Sequence, residues 1–484
     1  MSLETHKWRA YWVGVSIAAV TILDMTKVNT ALPALETALG ASSTELQIIV
    51  AGYVLTFGLA LVPAGRIGDQ RSRKTLFLVG LIVYTGMSMV AGFAGDPTTL
   101  LIARLLQGVG AGIQMPQVLG TVQELFQGKE RGKAFGLFGA TVGLATAFGP
   151  GLGGLAIELG GPVDGWRWIF WMNLPLGLLL ILGVILFIPA APKKQRETLS
   201  LDPIGVLLFA VTVIALMWPF LFTTGSAEDD PTRWWLLVVF AVALAAFIWW
   251  ESRYARRGRA PLVPLALFRK RSFRNGLMVG TLYFAGLPPM FLLITIFMQQ
   301  GLGLSALIAG LITTGFALSS AYASWWAGAR INAMGAKLIV VGMIIVLSIM
   351  VSMAAAASFL PHAWIPWIVA GLLFVGGIGG GLVVSPNQTL LLEDVAVREG
   401  GLAGSVAQLG QRIGNAIGTA VALSIYYATL SREAGAVPAD QVPFDALRLG
   451  LVAVALLIAL ALIVAVVDLR GRGDAHDLIA RASE

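Results

Sequence analysis

Residues 65–74 read GRIGDQRSRK, and residues 328–337 read GARINAMGAK. Both decapeptides begin with glycine, carry Asp or Asn at the fifth place and Ser or Gly at the eighth, and end in lysine. Each one follows a long apolar run and precedes another. Because a charged decapeptide that recurs between apolar segments indicates an internal duplication, we expect two related halves, each built from membrane-spanning segments.

The composition excludes most classes of soluble protein. The 484 residues are 57% hydrophobic and 12% charged, with 57 glycines and no cysteine, and the mean hydropathy is +0.82. Soluble domains carry about twice that share of charged residues. Without cysteine there is no disulfide scaffold, and three scattered histidines (His6, His362 and His476) predict no metal site. The net charge of +7 fits basic membrane loops, so we expect no nucleic-acid partner.

Apolar runs of the length that crosses a bilayer, about 20 residues, predict fourteen transmembrane helices. They lie near 10–32, 46–65, 75–94, 98–120, 133–157, 166–189, 203–222, 233–250, 273–298, 306–327, 338–359, 363–385, 405–429 and 446–467. Such long runs favour helices over the short alternating strands of a barrel. The first run carries Asp24 and Lys27 and lacks a cleavage site of small residues, so we expect a retained helix rather than a signal peptide.

The charges of the predicted loops indicate the orientation of the chain. When the N-terminus is placed inside, most of the 33 basic residues fall in inward loops and tails. One such loop carries Lys193, Lys194 and Arg196. The opposite loops contain only Arg167, Arg233, Arg432 and Arg448. Since basic residues concentrate in cytoplasmic loops, the pattern predicts a multi-pass protein of the cell (inner) membrane with both termini in the cytoplasm.

The fold class predicted by these observations is an all-α polytopic membrane protein of two six-helix bundles. The two helices near 203–250 belong to neither copy of the repeat and are flanked by basic connectors. We therefore assign the first bundle to 1–190, an inserted two-helix hairpin to 191–272, the second bundle to 273–468 and a cytoplasmic tail to 469–484.

Four stretches are similar to the signatures of one transporter family. They are LDMTKVNTALP at 23–33, the decapeptide at 65–74, RLLQGVGAG at 104–112, and Gly149, Pro150, Gly153 and Gly154. Together they resemble the major facilitator superfamily, and within it the fourteen-span drug:H+ antiporter family. Gln70 and Ser72 replace the usual Arg and Gly of the loop motif. The resemblance implies a proton-coupled exporter of amphipathic small molecules or drugs that works by alternating access and needs no cofactor.

Three charged residues inside the predicted spans are candidates for proton coupling: Asp24, Lys27 and Arg104. An ionised carboxylate deep in a bilayer is costly, so Asp24 can take up a proton. Lys27, one helical turn away, can instead neutralise it. The pair therefore predicts either a coupling site or a static ion pair. For Arg104 the resemblance implies a part in proton coupling, and the alternative is a hydrogen-bond clamp on a neighbouring helix.

Polar and aromatic residues of several spans predict a substrate cavity between the halves. These residues are Asn29, Gln107, Gln114, Gln117, Tyr283, Phe284, Gln408, Gln411 and Asn415. Each aromatic residue taken alone more often serves ordinary packing. Because Lys27 departs from the apolar residue usual in the family signature, neutral or anionic cargo is as compatible with the site as cationic drugs. A dedicated exporter of one endogenous metabolite or lipid-like compound is therefore the alternative to a multidrug exporter.

Two further motifs predict conformational roles. Gly65, Asp69, Arg73 and Lys74 are assigned to a cytoplasmic latch, because Asp69 can attract the positive N-terminal end of a helix from the other half. The alternative is a loop whose charges only set topology. Gly149 and Pro150 should bend their helix, and the resemblance implies that this motif, with Gly153 and Gly154, prevents leak during antiport.

The remaining function classes have little support in the sequence. It shows no paired carboxylates near one another, no nucleophile with its base and no ATP-binding loop, so we expect no enzyme. A non-transporting membrane receptor is the weakest alternative. We expect a monomer whose partners are a small amphipathic molecule, protons and the lipid bilayer.

Overall fold

The computed structural model describes residues 3–161, 164–189, 202–223, 229–435, 437–438 and 440–483, and every regular element within them is helical. The predicted basic loop with Lys193, Lys194 and Arg196 and the predicted boundary at 190–191 lie outside these ranges.

The described helices fall into two groups along the chain. The first group comprises α1 (Leu3–Thr30), α2 (Leu32–Leu39), α3 (Ser43–Gln70), α4 (Arg73–Gly92), α5 (Pro97–Leu125), α6 (Gly128–Gly160), α7 (Gly165–Trp171) and α8 (Asn173–Phe187). The second comprises α9 (Pro203–Leu221), α10 (Leu236–Arg256), α11 (Arg271–Ile296), α12 (Ala306–Met334), α13 (Lys337–Phe359), α14 (Ile365–Leu391), α15 (Gly400–Glu433) and α16 (Val442–Ser483). Short 3-10 turns at Pro231–Trp235, Leu265–Arg269, His362–Trp364 and Val397–Glu399 and a π turn at Phe297–Gly301 join some of them.

Side chains at the helix starts explain several of these boundaries. Ser42 and Glu45 form a capping box at the start of α3, where each side chain binds a backbone N–H of the other. Asp96 accepts a hydrogen bond from the Thr99 N–H at the start of α5. That bond and one from the Thr99 hydroxyl lower the pKa of Asp96. Both caps satisfy N–H groups that the first helical turn leaves without partners.

Twelve helical segments of the described chain are long and apolar enough to cross a membrane. The predicted spans near 98–120 and 306–327 are also helical, in α5 and α12, but these two helices are not among the twelve. In α5 the hydropathy is lowered by Arg104 and by Gln107, Gln114 and Gln117. The all-helical membrane fold is therefore established, and the count of fourteen spans remains a prediction.

Two large apolar clusters lie inside the bundle. One includes Tyr11, Phe57, Phe77 and Phe135 and extends to Leu402 of α15. The other is formed between Val279 and Ala465 and includes Met290 and Met350. The first cluster crosses from α3 and α5 into α15 and also includes residues of α9 and α10.

Glycines allow two crossings of helices that come from opposite halves of the sequence. A Cβ atom on Gly65 of α3 would meet Ser405 Oγ and lie 2.9 Å from the Gly401 carbonyl oxygen of α15. A Cβ atom on Gly328 of α12 would lie 2.6 Å from Gly136 Cα of α6. Gly65 and Gly328 are the first residues of the two repeated decapeptides. The repeat in the sequence thus coincides with a repeat in helix packing.

Helices α9 and α10 pack against each other, and α9 also packs against α3 and α15. Met217 of α9 lies 3.7 Å from the position of a Cβ atom on Gly58. The predicted hairpin is therefore in contact with one helix from each predicted half.

Candidate functional site

Asp24 lies in the last third of α1 and is completely buried. Its Oδ2 atom accepts a hydrogen bond of 2.6 Å from Arg104 and one of 3.3 Å from the Gln107 amide. Its Oδ1 atom accepts a hydrogen bond of 2.8 Å from the Asn173 amide. Every partner is itself buried, so the carboxylate of α1 is held by side chains of α5 and α8 without exposure to solvent.

Lys27, one turn further along α1, joins the same group. Its Nζ atom lies 3.5 Å from Asp24 Oδ1 and donates a 2.6 Å hydrogen bond to Asn173 Oδ1. The Asn173 amide also donates to Ser88 Oγ at 2.8 Å. Asn173 starts α8 and Ser88 lies in α4, so the polar group connects four helices. Sequence reasoning missed Asn173, although a single asparagine in the apolar run near 166–189 was a signal that could have found it.

Arg104 of α5 makes contacts on two sides. Besides its ion pair with Asp24, it donates a 2.8 Å hydrogen bond to Gln107 Oε1. The guanidinium carbon lies 4.0 Å from the centroid of the Tyr53 ring, a cation–π contact with α3. Arg104 is thus a cation in direct contact with Asp24 and at the same time a residue of the cavity wall described next.

A cavity of about 680 Å³ lies beside this group. Its wall includes Asn29 of α1, Tyr53 of α3, Arg104 of α5, Phe220 of α9 and Arg412 of α15. The volume is typical of sites for drug-sized molecules. Gln47 in the wall and Asp69 stand 22 places apart in α3, about 33 Å at 1.5 Å per residue. The cavity is therefore close to one end of α3 and Asp69 to the other.

Two of the nine residues predicted for the cavity, Asn29 and Asn415, line it. The other seven, which lie elsewhere, are Gln107, Gln114, Gln117, Tyr283, Phe284, Gln408 and Gln411. Three of them are held by hydrogen bonds inside the bundle: Gln107 binds Asp24, Gln114 binds Thr21 Oγ1 at 2.8 Å, and Gln117 binds the Ala64 carbonyl at 3.2 Å. Tyr283 is buried, and its ring packs edge-on against Phe284.

Asp69 connects α3 to the first turn of α15. Its Oδ1 atom accepts a 3.1 Å hydrogen bond from the Gly401 N–H, and its Oδ2 atom accepts a 2.8 Å bond from the Leu402 N–H. These N–H groups belong to the positive end of a long helix, where a carboxylate is favoured. The contact joins residues more than 330 positions apart.

The rest of the predicted latch residues lie around Asp69. Arg73 pairs with Asp69 at 2.9 Å and also binds Glu124 and the Gly120 carbonyl of α5. Lys74 instead donates to the Ile185 carbonyl of α8 at 2.6 Å and is half-buried. Gly65 lies about one helical turn before Asp69, at the close crossing with α15. We infer that Gly65, Asp69 and Arg73 form one contact region, whereas Lys74 faces a different neighbour.

The glycines of the predicted antiporter motif bring α6 close to α1. A Cβ atom on Gly149 would lie 2.7 Å from Thr26 Cβ, and one on Gly153 would lie 2.8 Å from the Lys27 carbonyl oxygen. Gly154 faces open space. The helix continues through Pro150 from Gly128 to Gly160. This motif therefore packs directly against the segment of α1 that carries Asp24 and Lys27.

The structure also brings together two carboxyl groups that are far apart in the sequence, so the expectation of no paired carboxylates was wrong. Asp202 and Glu251 are both buried, and one Cβ atom on Gly205 would lie 2.6 Å from an oxygen of each. Asp202 accepts from the Trp250 indole N–H at 2.8 Å, and Glu251 accepts from the Val263 N–H at 2.9 Å. The α9–α10 packing creates this pair, which the spacing of 49 residues could not reveal.

Comparison with known proteins agrees with the helical architecture. The model of the Major Facilitator Superfamily matches residues 15–419. The chain belongs to the major facilitator superfamily. The resemblance inferred from four motifs is thereby confirmed over most of the length of this facilitator, and its relatives are transporters.

The names of two curated relatives describe different ranges of transported compounds. The facilitator is 31% identical over 445 residues to the probable actinorhodin transporter of Streptomyces coelicolor, covering 89% of this chain and 74% of the relative. It is 30% identical over 405 residues to the multidrug transporter protein MdtP of Bacillus subtilis, covering 82% of this chain and 71% of the relative. The name of the Streptomyces relative specifies one transported compound, whereas the name of the Bacillus relative specifies many drugs.

A solved structure shows the same fold. The crystal structure of the human organic anion transporter MFSD10 (TETRAN) aligns with a TM-score of 0.66 at 14% identity, covering 95% of this chain and 99% of that one. At this identity the comparison establishes the fold alone.

Proposed function

We propose that this facilitator is a proton-coupled exporter of amphipathic small molecules. The observation that carries the proposal is the buried group of Asp24, Lys27 and Arg104, because Arg104 belongs at once to that group and to the cavity wall. A change in the charge of Asp24 therefore acts directly on a residue that a bound molecule would touch.

Charge balance explains how a proton would change the conformation. With all three groups ionised, two cations face one carboxylate. Protonation of Asp24 would leave Arg104 and Lys27 as uncompensated cations in an apolar interior, which is strongly unfavourable. Proton uptake at Asp24 therefore requires Arg104 to move away towards another partner. The proton and the closed ion pair exclude each other, and this exclusion is the coupling step that we propose.

The topology that we propose places fourteen spans in the cell membrane with both termini in the cytoplasm. It includes α5 and α12 as spans, two six-helix bundles and the α9–α10 hairpin between them. The contact region of Gly65, Asp69 and Arg73 then lies on the cytoplasmic side. The cavity lies towards the outer ends of α1 and α3. This arrangement supports an outward-facing state that is latched on the cytoplasmic side.

A second candidate function is the export of one endogenous compound. It is favoured by the charge of the cavity wall, which contains two arginines and no carboxylate among the described residues. A wall of this kind discriminates between cargo charges more strongly than an apolar pocket. Transport of a panel of cationic, neutral and anionic aromatic compounds separates the two functions, because a dedicated exporter would move one chemical class only.

The coupling proposal is tested in proteoliposomes with an imposed pH gradient. We expect the gradient to drive movement of a fluorescent aromatic substrate, and Asp24→Asn to reduce this movement by at least about tenfold. Exchange of labelled for unlabelled substrate, which needs no net proton movement, should persist in the variant. The matched control is Asp164→Asn, which alters an exposed carboxylate outside the helices.

Gradient-driven transport that is unchanged in Asp24→Asn would disprove the assignment of Asp24. Loss of both gradient-driven transport and exchange would show that Asp24 is needed for the folded state or for substrate binding rather than for coupling.

A further inference from the structure

The cavity wall has an excess of positive charge. Among its described residues, Arg104 and Arg412 are the charged ones, and no Asp or Glu is present. Arg104 already shares the carboxylate of Asp24 with Lys27. The carboxylate of Asp24 balances only one of these two cations. The excess positive charge next to the cavity is therefore the second cation of this group and Arg412.

Arg412 has no acidic partner in the described part of the chain. It lies in α15, is partly buried, and its guanidinium carbon lies 4.6 Å from the centroid of the Phe57 ring. None of the ion pairs within 4.0 Å involves it. A stacked guanidinium keeps its planar edge and its N–H donors available for a second group. The edge of Arg412 is thus open to whatever occupies the cavity.

An arginine at this depth needs a partner whenever water is excluded. Arg412 is the thirteenth residue of α15 and lies about 18 Å from the start of this helix. A guanidinium does not readily lose its proton, and a cation without a counter-charge inside a bilayer is costly. When the cavity closes during transport, the group that most effectively replaces water is a carboxylate, phenolate or similar anion on the cargo itself.

The remaining wall selects the body of the ligand. Tyr53, Phe220 and Tyr427 offer aromatic surfaces, and Asn29, Gln47 and Asn415 offer amide groups. Flat aromatic rings pack well against aromatic side chains, and amides bind carbonyl or hydroxyl substituents.

We propose that the cavity binds anionic aromatic compounds, whose acidic group pairs with Arg412 and whose rings lie between Tyr53, Phe220 and Tyr427. This inference rests on the proposed export function and specifies its substrate class. Cationic amphiphiles of the same size are disfavoured by the two arginines.

The test uses three probes that share one ring system and differ in charge: anthracene carboxylate, anthracene carboxamide and anthracenylmethyl-trimethylammonium. Their binding to the purified full-length protein in nanodiscs is measured by anthracene fluorescence. We expect the carboxylate to bind about tenfold more tightly than the carboxamide, and the ammonium probe to bind most weakly. Equal affinities, tighter binding of the ammonium probe, or no binding of any probe would overturn the proposal.

Substitution of Arg412 assigns the preference to one residue. In Arg412→Gln we expect the affinity for the carboxylate to fall about tenfold and that for the carboxamide to stay within about twofold. Arg412→Lys keeps the charge but loses the planar fork, so it should give an intermediate value. The matched control is Arg432→Gln, on the same helix but exposed and outside the cavity wall. A wild-type preference that survives in Arg412→Gln would contradict the proposed role of this arginine.

Transport of the same probes in proteoliposomes separates this inference from the export function. Movement of the ammonium probe but not of the carboxylate would overturn the substrate class and leave the exporter proposal standing. Carboxylate-selective binding without transport of any probe would instead count against export.

Discussion

At the scale of single residues, the structure explains how three charged side chains are tolerated inside an apolar bundle. Asp24 accepts hydrogen bonds from Arg104 and Asn173 at 2.6 and 2.8 Å. Lys27 donates to Asn173 at 2.6 Å. Buried charges are stable when each one is paired and its hydrogen bonds are satisfied. The amide of Asn173 serves both signs at once, because its NH2 group binds the anion and its oxygen binds the cation.

This geometry predicts unequal effects for two substitutions. Asp24→Asn leaves two cations without an anion, so we expect it to destabilise the protein by about 3–5 kcal/mol. Lys27→Met leaves the neutral Asp24–Arg104 pair intact and should cost less than half of that. The measurement is the thermal unfolding temperature of the purified variants in detergent. A larger loss in Lys27→Met than in Asp24→Asn would show that Lys27, rather than Arg104, is the main partner of the carboxylate.

At the scale of helices, glycine determines which pairs can approach closely. Gly153 faces the Lys27 carbonyl of α1, whereas the adjacent Gly154 faces open space. Helix α6 therefore packs on the segment of α1 that carries Lys27 with one side of its glycine-rich stretch, and Gly154 on the other side has open space beside it.

The two adjacent glycines form a matched pair of substitutions. Alanine favours a helix by about 1 kcal/mol over glycine, so Gly154→Ala should leave stability unchanged or raise it slightly. In Gly153→Ala the added methyl group would lie 2.8 Å from a backbone oxygen, so α6 must move away from α1 and stability should fall. Thermal unfolding and gradient-driven transport measure both effects. Equal stability of the two variants would mean that α6 and α1 separate without cost.

The α9–α10 hairpin reaches the cavity through the end of α9. Phe220 and Leu221 at the end of α9 line the cavity, and Gln47 of α3 donates a 3.3 Å hydrogen bond to the Leu221 carbonyl. Helix α9 therefore contributes to the wall of the proposed binding site.

At the scale of the whole molecule, the bundle is closed at the end that contains Asp69. Helix α3 meets α15 there, and α6 meets α12 through Gly136 and Gly328. The alternating access that we propose requires these crossings to separate in part of the transport cycle. The two hydrogen bonds from α15 to Asp69 are lost in that separation.

The chain contains no cysteine, so paired spin labels can be placed without removing native residues. We predict that labels at Arg71→Cys and Arg398→Cys, two exposed positions next to the contact region, give mainly short distances. Asp69→Ala should increase the long-distance population by about tenfold or more, because hydrogen bonds to a charged group contribute about 1.5–3 kcal/mol each. Double electron–electron resonance measures the distances.

The control for this experiment is Glu124→Ala, which removes another partner of Arg73 without touching α15. A distance distribution that responds equally to both substitutions would assign the closure to Arg73 rather than to the contact between Asp69 and α15.

The sequence by itself determined the features that depend on local composition. The lengths of the apolar runs predicted a helix at each position where the structure has a long one. The four motifs, at 23–33, 65–74, 104–112 and 149–154, together indicated the superfamily by resemblance. Asp24 and Arg104 could be singled out because a charge inside an apolar run is visible without knowledge of any contact.

Only the tertiary structure decided which side chains meet. Asn173 reaches Asp24 across 149 positions of the chain, Gln107, Gln114 and Gln117 turn towards neighbouring helices instead of the cavity, and Asp202 lies beside Glu251. These outcomes depend on the rotation of each helix about its axis and on the crossings allowed by glycines such as Gly65. A rotation of a helix by one residue, about 100°, moves a side chain from the cavity to the interior. The lengths of apolar runs and the positions of charges do not specify this rotation.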